Sequence, residues 1–277
     1  ITLTAGVPTV FTMLDQYLRQ HKHDLSSLNR IYIGGAATPA SLIEKYEKDH
    51  GLNIIPAWGM TETTPVGLVG RHPSQMPYIP PERRQVERVN PGPPIAGIDV
   101  RIVDGSGNDL PWDGRTTGEL LVRGPWVARQ YYENTEPEAA RSFSIEGWFR
   151  TGDIATIDEF GYVQVTDRLK DLVKCKGEWI SSVDMENQLT ALPGIAEAAV
   201  VARPDPKRDE VPVIFAVRRE GVTPAAEVHD LLTHLEAHFA KWQLPRVHDV
   251  HFVDSIPKTT VGKIDKKLLR ARLAERS

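Results

Sequence analysis

The chain has 277 residues, 40% of them apolar and 25% charged, with a formal net charge of −4. That is a globular composition, long enough for one large or two modest domains, and it offers no basic footprint for nucleic acid. A single cysteine, Cys175, excludes an internal disulfide and a cysteine-based zinc site, and no apolar run approaches the length of a membrane span. The N-terminal part reads as α/β. Val10, Phe11, Leu14 and Leu18 recur at helical spacing within Val7 to Gln20, behind Pro8 and Thr9. Ile31-Tyr32-Ile33 is a short buried strand running into Gly34-Gly35, Pro39 to His50 is a second helix stopped by Gly51, and Asn53 to Pro56 is a further strand. The Pro- and Arg-rich stretch from Arg71 to Pro94 reads as a surface loop, with a partner-binding segment as the alternative.

From Gly97 the pattern changes to short strands, Ile98 to Val103, Gly118 to Arg123, Ala155 to Ile157 and Tyr162 to Thr166, joined by Gly-rich turns. A small β-barrel or sandwich is expected there. After Asp167 the charge density rises and an α+β unit begins. Ser181-Ser182-Val183-Asp184 starts a helix to about Leu192, strands follow at Glu197 to Ala202 and Val213 to Val217, and Ala225 to Ala240 is an amphipathic helix. A last strand, Val250 to Val253, precedes the Pro257 to Ile264 loop and a basic terminal helix. With a lone thiol and no secretory signal legible at Ile1, the expected setting is reduced and cytoplasmic.

Three stretches carry the chemistry. In the longest, Trp148-Phe149-Arg150-Thr151-Gly152-Asp153 puts an acid on a Gly-containing turn, and Asp167 to Lys174 with Gly177-Glu178-Trp179-Ile180 adds a dense Arg/Lys cluster. Carboxylates accept from sugar hydroxyls, and Arg and Lys clusters hold phosphates. A solvated basic loop is the plain alternative. The second stretch, Trp58-Gly59-Met60-Thr61-Glu62, follows a strand where side chains converge on ligands, and Glu62 is a hard donor suited to Mg²⁺, a helix cap being the alternative. The third is Pro257-Lys258-Thr259-Thr260-Val261-Gly262-Lys263-Ile264, in which Lys263 reads either as a reactive or as a solvated lysine.

Together and in this order the three stretches resemble the adenylate-forming (AMP-binding) superfamily, specifically the fatty-acyl-CoA ligases of medium and long chain length. The resemblance implies an α/β and β-barrel portion of a large adenylating domain, residues 1–167, followed by a small mobile α+β C-terminal domain, residues 168–277. It implies a ligase using ATP, Mg²⁺ and coenzyme A, which first makes an acyl-adenylate and pyrophosphate and then an acyl-CoA and AMP. Its pattern sets Thr61 on phosphate, Glu62 on Mg²⁺ and the turn Gly34-Gly35-Ala36 against adenine, with Ala57, Trp58 and Gly59 beside it. Asp153 would take the ribose hydroxyls with support from Arg168, and Lys170 would be the pivot of the small domain. Lys174, Gly177 and Trp179 match positions near the adenylate and the CoA channel, and Lys263 the lysine that enters the site for adenylation. The chain departs from the pattern at Pro56-Ala57 and at Cys175-Lys176.

The family's Ser/Thr/Gly-rich phosphate loop has no counterpart here. Gly262-Lys263 is no substitute, since Pro257 and Ile264 stand where a Walker loop needs Gly and Ser or Thr. With no Met at position 1, the chain reads as the second half of an adenylating enzyme. The expected partners are a carboxylic acid, ATP and CoA, with no nucleic acid and no stable membrane span; a homodimer is the assembly left open. The rivals are a ligase for a short carboxylate such as methylthio-propionate, a peptide-synthetase adenylation domain, which is disfavoured because no carrier domain follows Ser277, and a non-catalytic adenylate-binding or interaction fragment. His234 and His238 lie one helical turn apart without a third ligand, and Cys175 has no His partner, so neither is expected to form a metal or nucleophile site.

Overall fold

The computed structural model describes residues 1–70, 79–132, 142–143, 146–222, 226–259 and 262–275. They divide into two compact units, Ile1–Val165 and Thr166–Ser277.

The first unit opens with β1 (Leu3–Gly6), α1 (Pro8–Gln20), β2 (Arg30–Ile33), α2 (Ala40–His50) and β3 (Asn53–Trp58). The three strands pair in parallel, and the two-residue β4 (Leu68–Val69) adds antiparallel to β3. Pro8 supplies the pre-set φ of a first helical turn in α1. Gly51 closes α2 in the left-handed conformation, φ 64°, its N–H bonding back to Glu47 and Tyr46. Phe11, Ile31, Ile33, Leu42, Ile43, Tyr46 and Ile54 form the core between helices and sheet. The Tyr46 hydroxyl donates to the Phe11 carbonyl at 2.6 Å, and burial beside Asp15 pushes its pKa up to about 12.

Asp15, buried on α1, meets Lys45 at 2.8 Å, Arg19 at 3.2 Å and His50 at 3.2 Å. Burial raises its pKa, but the hydrogen bonds from Lys45 and His50 and the cations around it outweigh this, so the net shift is downward. A carboxyl depressed in the folded state stabilises above its unfolded pKa, about 4, and loses that contribution as pH falls through its folded value. Asp15→Asn is therefore expected to lower the melting temperature at neutral pH and to flatten its fall below about pH 4. Thermal scans of both proteins across that range check the sign.

The Arg71 to Pro94 stretch is not loop throughout. Residues 71–78 lie outside the described part, and Pro81–Val89 forms α3. Pro81 fits the first turn, Glu82 meets the helix dipole, and Arg83 pairs with Glu87 one turn on at 3.1 Å. Arg88 then bonds Glu47 on α2. Charge pairing and tertiary docking hold this helix, and neither appears in an apolar period.

β5 (Asp99–Val103), β6 (Gly118–Arg123), β7 (Phe149–Ile157) and β8 (Val163–Arg168) make a four-stranded sheet in that order. Among the described residues β5 and β8 are its two edges, so it is an open sheet where a barrel or sandwich was expected. Ile102, Leu120, Val122, Phe149, Ala155, Ile157 and Val163 form its core.

The second unit contains β9 (Val173–Cys175), β10 (Glu178–Ile180), α4 (Ser182–Ala191), β11 (Ile195–Asp205), β12 (Asp209–Arg218), α5 (Val228–Glu236), β13 (Val250–Phe252) and α6 (Lys266–Ala274). The later part of the stretch read as an Arg/Lys cluster, residues 173–180, is thus a β-hairpin, while Arg168 ends β8. β11 and β12 pair antiparallel over their whole length, and β13 runs parallel to β12. Their alternation divides the unit's core. Ala198, Val200, Ile214 and Ala216 face α4 and α5, while Ala199, Val201, Val213 and Phe215 face Leu269 and Leu273 of α6. Ser181 caps α4 by accepting from the Asp184 N–H at 3.1 Å. α5 is shorter than the Ala225 to Ala240 pattern predicts; residues 223–225 lie outside the described part, and Phe239 and Trp242 reach the core from beyond the helix. Among the described residues no helix is long and apolar enough to cross a membrane.

Candidate functional site

In the first unit, two of the sequence-predicted segments leave the C-terminal ends of neighbouring parallel strands, Gly34-Gly35-Ala36 after β2 and Trp58 to Glu62 from β3. Open α/β sheets hold ligands at that edge. The segments approach closely: a Cβ on Gly34 would sit 2.9 Å from the Ala57 carbonyl oxygen, and Gly35 has φ 82°. Gly59 is tighter still, since a Cβ there would lie 1.8 Å from the Pro65 carbonyl oxygen. Buried Thr63 pins the same loop, its hydroxyl accepting from the Met60 N–H at 3.0 Å and lying 2.9 Å from the Pro65 carbonyl. Thr61 is exposed and Glu62 half-buried on the single helical turn so formed.

Asp153 is buried, and it stands within β7 where a turn was expected. The β6–β7 register slips between Glu119 opposite Ile154 and Leu121 opposite Arg150. Gly152, at φ 69°, sits in that bulge, and Thr151 ties it down by donating to the Leu120 carbonyl at 2.7 Å and accepting from the Asp153 N–H at 3.0 Å. The bulge aims the Asp153 carboxylate at the Trp58 indole N–H, which donates to Oδ2 at 2.7 Å. Two motif stretches 95 residues apart therefore meet through one hydrogen bond. Glu62 Oε1 accepts from the Tyr131 hydroxyl at 2.8 Å, and burial together with that carboxylate pushes the Tyr131 pKa up to about 12. Tyr131 and Thr63 were missed in the sequence: Tyr131 belongs to no recognisable spacing, and Thr63 lies one residue beyond the Trp58 to Glu62 run.

In the second unit, Arg168 and Lys170 are exposed on a turn in which the Arg168 carbonyl accepts from the Asp171 and Leu172 N–H groups at 2.8 and 3.1 Å. Arg270 of α6 donates to the Lys170 carbonyl at 3.1 Å and pairs with Asp171. Lys174 and Trp179 are cross-strand neighbours on the β9–β10 hairpin, the ammonium 5.8 Å from the indole centroid. Lys176 and Gly177 form its two-residue turn with φ 51° and 81°. Gly177 is needed for that conformation, since a Cβ there would meet nothing within 4 Å. Its N–H donates to Asp209 at 3.0 Å. Burial raises the pKa of the Cys175 thiol between these residues, which does not suit a nucleophile. Lys263 is half-buried in the loop before α6, residues 260 and 261 of which lie outside the described part. Two other lysines near it are ion-paired, Lys258 with Glu197 and Lys266 with Glu186.

Residues 1–132 match the family model for the AMP-binding enzyme, and residues 184–263 that for the AMP-binding enzyme C-terminal domain. The chain is 42% identical over 270 residues to a 3-methylmercaptopropionyl-CoA ligase of Ruegeria lacuscaerulensis, covering 98% of this chain and 49% of the relative. It is 44% identical over 272 residues to a long-chain-fatty-acid–CoA ligase of Thermus thermophilus, with 98% and 49% covered. Among solved structures it resembles ATP-bound MatB from Rhodopseudomonas palustris, with a TM-score of 0.84 and 30% identity over 98% of this chain and 50% of that one. The chain spans about half the length of the curated relatives it matches.

Proposed function

The chain belongs to the AMP-binding enzymes, the adenylate-forming superfamily, and from that premise we propose that it is part of an ATP-dependent ligase joining a fatty acid to coenzyme A through an acyl-adenylate. The substrate carboxylate attacks the α-phosphorus of ATP, forming the acyl–AMP bond while the bond to pyrophosphate breaks. The CoA thiolate then attacks the acyl carbon and AMP leaves. The first step gathers negative charge, and preorganised cations lower its barrier.

In this reading the Gly34-Gly35-Ala36 turn and the Ala57 to Gly59 strand end flank the adenine, and Asp153, oriented by Trp58, accepts from the ribose hydroxyls with Arg168 in support. Thr61 holds phosphate. Glu62 offers oxygen donors of the kind Mg²⁺ prefers, on a pinned turn, and would hold the ion, which neutralises phosphate charge when bound. Lys263 bridges carboxylate and α-phosphate. Residue 170 is the pivot of a mobile C-terminal domain, residues 168–277, and Lys174, Gly177 and Trp179 line the approach of CoA. The observation that most supports the reading is the Trp58–Asp153 hydrogen bond, because it joins two of the recognised stretches around one buried carboxylate. A ligase for a short carboxylate is the second reading, favoured by the similarity to the Ruegeria enzyme.

Pyrophosphate release measured over acids of graded length separates the two. A fatty-acid ligase prefers medium or long chains, whereas a preference for methylthio-propionate selects the second reading. The full-length protein is expected to release pyrophosphate and the 277-residue chain by itself none. Acid-independent release in the full-length protein would contradict both readings.

A further inference from the structure

In the loop that carries Lys263, Thr259 acts as a clamp. Thr259 gives all three of its polar groups to Gly262 and Lys263. Its N–H donates to the Lys263 carbonyl at 2.7 Å, its carbonyl accepts from the Gly262 N–H at 2.9 Å, and its hydroxyl oxygen accepts from the Lys263 N–H at 3.2 Å. Below this clamp the loop closes as a hairpin. Lys258 bridges Ile264, the Asp265 N–H donates to the Pro257 carbonyl at 2.8 Å, and the Lys258 ammonium pairs with Glu197 on β11. Gly262, at φ 79°, adopts the left-handed conformation that favours glycine. The base of the loop is therefore fixed to the sheet and α6, and the backbone of Lys263 is fixed to Thr259.

A lysine side chain has four rotatable bonds, so the reach of its ammonium is defined only if its backbone is. A cation that must bridge two anions in one transition state loses effectiveness when its anchor drifts, even by about an ångström. The main-chain bonds of Thr259 survive substitution, whereas the hydroxyl is the only side-chain contribution to the clamp. Without it the Lys263 N–H loses this acceptor.

We propose that Thr259 is the positioning residue for Lys263, its hydroxyl holding the lysine's backbone so that the ammonium meets the developing charge of adenylation. This rests on the role given to Lys263 above, and the test separates the two. In the full-length enzyme, Thr259→Val keeps the shape and removes the acceptor, while Thr259→Ser keeps the acceptor. Thr259→Val is expected to slow acyl-adenylate formation roughly tenfold, the factor corresponding to one lost hydrogen bond. Thioester formation from supplied acyl-adenylate should stay within about twofold, Thr259→Ser should restore adenylation, and Thr259→Val added to Lys263→Ala should slow it no further. In the 277-residue chain itself, hydrogen exchange at the Lys263 amide should be faster in Thr259→Val than in wild type or Thr259→Ser. If Lys263→Ala leaves adenylation intact, the functional reading falls. If Lys263→Ala slows adenylation and Thr259→Val does not, only the positioning role falls. Equal slowing of both half-reactions by Thr259→Val, or no rescue by serine, also overturns it.

Discussion

Replacing Lys263 by alanine in the full-length enzyme is expected to slow acyl-adenylate formation by about 100- to 1,000-fold, or roughly 3–4 kcal/mol of lost transition-state stabilisation. The figure is that of removing one preorganised donor from a site where charge develops. What marks Lys263 among the lysines nearby is the way its backbone is held. Lys258 and Lys266 are engaged in ion pairs with Glu197 and Glu186, and Lys266 also donates to Ser182 at 2.7 Å. The Lys263 backbone is locked by Thr259. Thioester formation from supplied acyl-adenylate should change much less, because its attacking thiolate and leaving AMP do not need that bridge. Single-turnover kinetics of each half-reaction distinguish the cases, and equal losses in both would count against a lysine that serves adenylation alone.

Asp153→Ala should weaken ATP and AMP binding by about 1–3 kcal/mol, the penalty for leaving hydrogen-bonding groups without a charged acceptor. The effect has two sources. The ribose hydroxyls lose their acceptor, and the Trp58 indole N–H loses the 2.7 Å bond that joins the β3 strand end to the β7 bulge. Trp58→Phe separates them, because it removes the indole donor and keeps the carboxylate. It should therefore cost less nucleotide affinity than Asp153→Ala. Calorimetric titration of AMP into each variant reads the difference directly. Unchanged AMP affinity in Asp153→Ala would remove the carboxylate from the nucleotide site.

The sequence disclosed most where one local signal decided the structure. Val10, Phe11, Leu14 and Leu18 marked α1, Gly51 marked the end of α2, and Ser181 marked the start of α4, each by a period or a cap that needs no distant partner. It disclosed least where distant contacts decide. α3 is highly polar and stands on the Arg83–Glu87 and Arg88–Glu47 pairs, the second reaching back 41 residues. The position of Asp153 depends on a bulge where the register slips between the Glu119–Ile154 and Leu121–Arg150 pairs. The same holds within the site. Its motif stretches were legible, but the Trp58–Asp153 and Tyr131–Glu62 bonds join residues 95 and 69 positions apart, and no spacing rule reaches that far. Whether the β5–β8 strands close or stay open was likewise invisible, since strand alternation looks the same in a barrel and in an open sheet.

The account stands or falls on the acyl-adenylate. Full-length enzyme, in stoichiometric amount, would be mixed with ATP, Mg²⁺ and a fatty acid without CoA, quenched, and its products weighed by mass spectrometry. The expected result is an acyl-AMP species formed together with pyrophosphate, converted to acyl-CoA and AMP when CoA is added. Acyl phosphate with ADP, or acyl-CoA formed with no adenylate before it, would contradict the account.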